Sequence, residues 1–118
     1  MDRILLLGAG KIGAAITELL CSSGDYDLVV ADKDQSFLDA IHRHDARRAR
    51  ADVEDNAALD RLMDGRDAVI SALPYYLNVR VAEAARVAGL HYFDLTEDVE
   101  TTRAVKRIAE GAERAFMP

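Results

Sequence analysis

Gly8-Ala9-Gly10-Lys11-Ile12-Gly13 lies between two segments of different periodicity, and that placement constrains the fold more than any other feature. Ahead of it, Ile4-Leu5-Leu6-Leu7 is a continuous apolar run of strand length, the pattern of a strand covered on both faces. Behind it, Ile12, Ala15, Ile16, Leu19 and Leu20 recur at helical spacing as far as Gly24, which predicts a helix with that stripe turned inward. In such a strand–turn–helix, Gly8 permits the tight turn, Gly10 admits a pyrophosphate, and Gly13 lets helix and sheet pack closely. The helix N-terminus adds free amides and partial positive charge, so Ala9, Lys11 and Ile12 join the glycines as candidate cofactor contacts. A tight turn without a ligand is the plainer alternative. A Walker A loop is excluded, because Leu5 and Ile12 stand where it needs glycine and a hydroxyl residue.

The remaining chain keeps alternating. Residues 27–32 form a second β-branched run, and Phe37, Leu38 and Ile41 mark a short helix with Asp34 placed to cap it. Residues 46–52 carry Arg47, Arg48 and Arg50 and read as an edge strand. Leu59, Leu62 and Met63 mark a short helix closed by Gly65, and residues 67–72 form a strand stopped by Pro74. Asn78 is placed to cap a helix with Val81, Ala84, Ala85 and Ala88 as its stripe. Residues 91–95 are a fifth strand, followed by a helix over residues 98–111 that buries Val105, Ile108 and Ala109. Residues 115–118 look like the opening of a sixth strand. Five alternations of strand and helix predict a doubly wound, Rossmann-type α/β parallel sheet, order 3-2-1-4-5, with helices on both faces.

Further polar residues fall where this fold places a dinucleotide. Asp32 ends the second strand, where a carboxylate can accept the adenosine ribose hydroxyls. A 2′-phosphate there would meet a like charge costing roughly 3 kcal/mol at about 5 Å and an effective dielectric of about 20. Lys33 next door offsets part of that, so NAD is the expected cofactor with NADP admissible. Asp52 and Val53 close the third strand at the adenine position, and a plain loop carboxylate is the competing reading. Ala72, Leu73 and Pro74 follow Ser71 across the switch from the first strand and suit a cofactor wall.

Composition narrows the class. The 118 residues are 50% hydrophobic and 31% charged, enough for one globular domain and one core. A net charge of −6 disfavours phosphate-held nucleic acid and anionic membrane surfaces as partners. No apolar run reaches membrane-spanning length, and residues 4–7 are too short for a signal-peptide core, so a cytoplasmic location is expected. Cys21 is the single cysteine and nothing near it marks an activated thiol. His42 and His44, two apart, cannot share a helix face, and no metal site is expected. Asp94, Glu97, Asp98 and Glu100 suit the first turn of a helix better than a cation. No Tyr-x-x-x-Lys pair exists, which argues against a short-chain dehydrogenase mechanism.

With Leu7 to Gly13, Val30-Ala31-Asp32 and Asp52-Val53 stand two more particular blocks, residues 71–78 and 88–98. On these the chain resembles the N-terminal nucleotide-binding domain of the saccharopine dehydrogenase family over nearly all its length. The resemblance implies a fragment of a longer oxidoreductase that acts by hydride transfer on an amine of an amino acid, such as saccharopine or lysine. The acid–base residue would come largely from a later substrate domain, so no catalytic residue is assigned, and a homo-oligomer is compatible with the full-length protein. Were the chemistry within these residues, Tyr75, His91 and Asp94 would be the ionisable groups expected nearest the switch point. The rival is a regulatory nucleotide-sensing module of a potassium channel or transporter, which shares the glycine turn and the acidic strand end. Residues 73–76 and 93–96 speak against it.

Overall fold

Asp2–Leu7 (β1) runs through the middle of a six-stranded parallel sheet in the computed structural model, which describes residues 2–95, 99–110, 112 and 114–117. There follow α1 (Lys11–Ser23), β2 (Tyr26–Asp32), α2 (Gln35–Asp39), β3 (Ala46–Arg50), α3 (Asn56–Met63) and β4 (Ala68–Ser71). A 3-10 turn (Tyr75–Leu77) then leads into α4 (Asn78–Ala88), β5 (His91–Asp94), α5 (Val99–Ala109) and β6 (Phe116–Met117). The strand order is β3-β2-β1-β4-β5-β6, the doubly wound order that the alternation predicts.

The two-residue period of a strand explains why β1 is apolar throughout. Leu5 and Leu7 enter a core with Leu59, Met63, Val81, Ala85, Tyr92 and Val105, the face covered by α3, α4 and α5. Ile4 and Leu6 enter the opposite core with Cys21, Leu28, Val30 and Leu38, the face covered by α1 and α2. Leu5, Leu6 and Leu7 are fully buried, each contributing about 1.5–3 kcal/mol relative to exposure. From β1 the chain winds outward to β3, then returns to place β4 on β1's other side. Leu7 therefore pairs with Ala31 on one flank and Ser71 on the other, and the strand order reverses there.

Several local expectations need correction. In α1 the buried residues are Gly13, Thr17 and Cys21, whereas Ile12 and Leu19 are 59% and 72% exposed. The helix must approach the strand end through Gly13, so its small residues take the inner face and the apolar stripe is rotated outward, with Ile16 and Leu20 left half-buried. The helix α2 stops at Asp39, and Ile41 is buried just beyond it. Strand β3 ends at Arg50 rather than residue 52: the Ala51 amide makes a last bond to β2, at the Asp32 carbonyl, and the Asp52 carboxylate then accepts the Glu54 amide and turns the chain. Its arginines suit an edge: Arg47 pairs with Asp27 at 2.7 Å. Asn78 does not cap α4 but is its first helical residue; Leu77 holds the cap position. In α4 Ala82 is buried and Ala88 exposed. The predicted start of the last helix at residue 98 lies outside the described residues. Among the described residues no helix is long and apolar enough to cross a membrane.

Candidate dinucleotide site

The chain leaves β1 through Gly8, whose φ of +103° is a conformation that favours glycine. A Cβ there would lie 2.7 Å from the Ala72 carbonyl oxygen, so the turn is pressed against the end of β4. A Cβ on Gly13 would lie 1.8 Å from the Gly8 carbonyl oxygen, which accounts for the third glycine. Gly10 differs: its φ is −68° and a Cβ would meet nothing within 4 Å. The space beside it is open, as a site for an approaching ligand must be. Gly10 is the N-cap of α1, its side offers no capping group, and the first turn holds no acidic residue. The first-turn amides are thus left without an intrahelical or side-chain acceptor and face that space with the positive end of the helix dipole.

Asp32 closes the turn from the β2 side. One carboxylate oxygen accepts the Ala9 amide at 2.8 Å and the other accepts the Asp34 amide at 2.8 Å. Asp34 in turn caps α2 through the Ser36 amide and hydroxyl, and these bonds hold its carboxyl below the usual carboxylate range. A cavity of about 300 Å³ opens between the ends of β1, β2, β3 and β4. Its floor is Gly8, Gly10 and Ala31; Asp32, Lys33, Asp52 and Val53 line one side and Ala72, Leu73 and Pro74 the other. Asp52 is occupied locally, accepting the Glu54 amide at 2.9 Å, and so fixes the loop after β3.

The β4 wall is held from beneath by buried polar groups. The Ser71 hydroxyl donates to the Asn78 side-chain oxygen at 2.7 Å, both residues 1% exposed. That bond ties the start of α4 to the strand and spans the loop that carries Leu73 and Pro74. Beside it, the Tyr92 hydroxyl donates to Asp94 at 2.6 Å. Burial and the neighbouring Asp94 carboxylate push the Tyr92 phenol well above its usual range.

A family model for the saccharopine dehydrogenase NADP-binding domain matches residues 4–116, almost the whole chain. The chain belongs to this family. A saccharopine dehydrogenase [NADP(+), L-glutamate-forming] of Saccharomyces cerevisiae is 30% identical over 84 residues, 70% of this chain and 19% of that protein. This saccharopine dehydrogenase-type domain therefore spans about a fifth of its curated relative. The structure of the apo yeast L-Glu-forming saccharopine dehydrogenase superposes with a TM-score of 0.86 at 22% identity, over 98% of this chain and 26% of that one. The TrkA-N domain of the Escherichia coli inner membrane protein YbaL superposes at 0.79 with 18% identity, over 98% of this chain and 87% of that one. At that identity the likeness is one of fold.

The domain's fold gathers nine of the expected cofactor residues around one cavity: Gly8, Gly10, Asp32, Lys33, Asp52, Val53, Ala72, Leu73 and Pro74. Ala9 is engaged by Asp32, Gly13 packs beneath Gly8, and Lys11 and Ile12 sit exposed on the first turn of α1. Phe37 and Tyr76 also line the cavity and were not foreseen. Their exposures of 46% and 65% mark them as rim aromatics, although Phe37 fits a core position by spacing alone. His91 opens a strand as expected, and the structural role expected of it fits better than a place near the switch point. It opens β5 at the opposite end of the sheet, where its Nδ1 accepts the Ala115 amide at 3.0 Å. Strand direction explains this, since only the last residue of a parallel strand reaches the switch-point edge. Asp94 does end β5 and is 7% exposed, while Tyr75 is 55% exposed on the 3-10 turn. The block at residues 96–98 lies outside the described residues. Burial pushes the Cys21 thiol upward, the opposite of an activated nucleophile. A second hollow, about 510 Å³, lies among Arg86, Gly89, Arg114 and Phe116 and shares no residue with the glycine turn.

Proposed function

We propose that this domain holds the dinucleotide of an oxidoreductase that moves hydride between an amine-bearing carbon of an amino acid and NAD(P). The observation that carries the reading is the open space at Gly10, set against an acid-free helix start and continuous with the cavity at Asp32. The first-turn amides of α1 would hold the pyrophosphate, Asp32 the adenosine ribose, and Asp52 with Val53 the adenine side. Ala72, Leu73 and Pro74 would form the wall along which the cofactor crosses to the nicotinamide end. When bound, the nicotinamide supplies the hydride acceptor or donor. On the substrate, loss of hydride and a proton converts the amine to an imine, which water hydrolyses to a carbonyl and a free amine.

Membership of the saccharopine dehydrogenase family and the blocks at residues 71–78 and 88–95 support the amine chemistry. The short span relative to the yeast enzyme supports placing the substrate-binding residues elsewhere in a longer protein. The test compares the 118-residue chain with its full-length parent. The chain should bind NAD(P)H saturably and show no lysine- or saccharopine-dependent reduction of NAD(P), whereas the parent should reduce it with an amino-acid amine. Turnover by the chain alone would move the catalytic residue into this domain, with Tyr75 and Asp94 the first groups to substitute. Cofactor binding by a parent with no amine oxidation, and a pore or transport segment beside it, would favour a sensing module.

A further inference from the structure

The Asp32 carboxylate is held by two backbone amides, one from the glycine turn and one from its own loop, each at 2.8 Å. Resting on the dinucleotide reading above, we propose that Asp32 is a positioning residue for the phosphate-binding turn as well as the cofactor selector. It thereby makes the chain prefer NAD(H) in a family whose model is NADP-binding.

The bond to Ala9 ties the middle of the glycine turn to the end of β2. Gly8 is tied to the same strand by its own amide, which donates to the Ala31 carbonyl at 2.8 Å, and is pressed on the other flank against Ala72. Ala9 has no comparable tether besides Asp32 among the bonds described, so the carboxylate sets how the following amides present themselves at Gly10. A carboxylate with both oxygens committed cannot swing aside for a 2′-phosphate without releasing the turn that grips the pyrophosphate. Selection and positioning are therefore coupled through one side chain. Positive charge nearby reduces the discrimination without removing its cause. Lys33 lines the same cavity, and Arg50, paired with Asp32 in the β2–β3 ladder, anchors its Nε on the Lys33 carbonyl at 3.2 Å. Like charges about 5 Å apart at an effective dielectric of about 20 oppose binding by about a hundredfold. With the two cations beside them, about a tenfold preference for NADH over NADPH is expected.

The experiment is a fluorescence titration of the chain with NADH and with NADPH for the wild type, Asp32→Asn and Asp32→Ala. It is accompanied by melting curves and by hydrogen exchange at the Ala9 amide. The asparagine removes the charge and keeps one carbonyl acceptor of the same reach, enough for the Ala9 amide although not for the Asp34 amide as well. It should bring the two cofactors to within about threefold while retaining NADH affinity. The alanine should also abolish the preference, but weaken both cofactors about tenfold relative to the asparagine variant and speed exchange at Ala9. A wild type that binds NADPH as tightly as NADH overturns the selection. An alanine variant that matches the asparagine variant for NADH, with Ala9 exchange unchanged, overturns the positioning role. A folded wild type that binds neither cofactor fails in a different way, and removes the dinucleotide reading together with this one.

Discussion

A methyl group on Gly13 would sit 1.8 Å from the carbonyl oxygen of Gly8, inside any tolerable contact. The first helix and the turn that precedes it are thus packed backbone to backbone. This explains why α1 buries Gly13, Thr17 and Cys21 rather than its larger residues. Gly13→Ala should destabilise the chain by about 1–3 kcal/mol or more, the range for forcing atoms into a filled site. Urea unfolding measures it, and a variant with an unchanged midpoint would show that helix and turn are not in contact.

The acid limb of stability should depend on Asp67. Its carboxylate accepts from Arg3 Nε at 3.3 Å, from Arg3 Nη2 at 3.2 Å and from the Arg3 backbone amide. These bonds hold its carboxyl below the usual carboxylate range. A depressed folded value means stability that is present above the unfolded value and lost as pH falls through the folded one. Asp67→Asn should therefore lower stability at neutral pH and make the decline below about pH 4 shallower than in the wild type. Parallel acid limbs would contradict that assignment.

At the alkaline end the relevant group is Tyr92, fully buried and donating to Asp94 at 2.6 Å. Its raised folded value means stability intact below the unfolded value of about 10, and lost as pH rises beyond it. Tyr92→Phe should cost about 1–3 kcal/mol at neutral pH through loss of the donor to Asp94. The same variant should remove one component of the decline above about pH 10. Denaturant titrations at pH 7 and pH 10.5 test both parts, and an unchanged neutral-pH stability would show that the bond contributes little.

What could be read from residue order was whatever depends on short-range pattern. The unbroken run at residues 4–7 announced a strand between two cores, and the glycine spacing placed a turn against a helix start. Asp32 was placed at the cavity by its position at a strand end, although its two backbone bonds were not visible. What escaped depends on packing across the sheet. Gly13 rotates α1 and leaves Ile12 and Leu19 outside, which hydrophobic spacing alone reverses. Asn78 resembles a helix cap by type and place, yet its side chain answers Ser71, seven residues earlier on β4. Phe37 and Tyr76 look like ordinary apolar positions until the ends of β2 and β4 are brought around one cavity.

The most direct test of the dinucleotide site is Gly10→Val, with a melting curve and an NADH titration taken on the same sample. Gly10 has an ordinary φ of −68° and room for a Cβ, so the fold should tolerate the side chain and the melting temperature should stay within a few degrees. The isopropyl group would occupy the space assigned to the pyrophosphate and keep it from the α1 amides, so NADH affinity should fall at least tenfold. A folded variant that binds NADH as tightly as the wild type would contradict the account, because the cofactor would then lie away from the glycine turn.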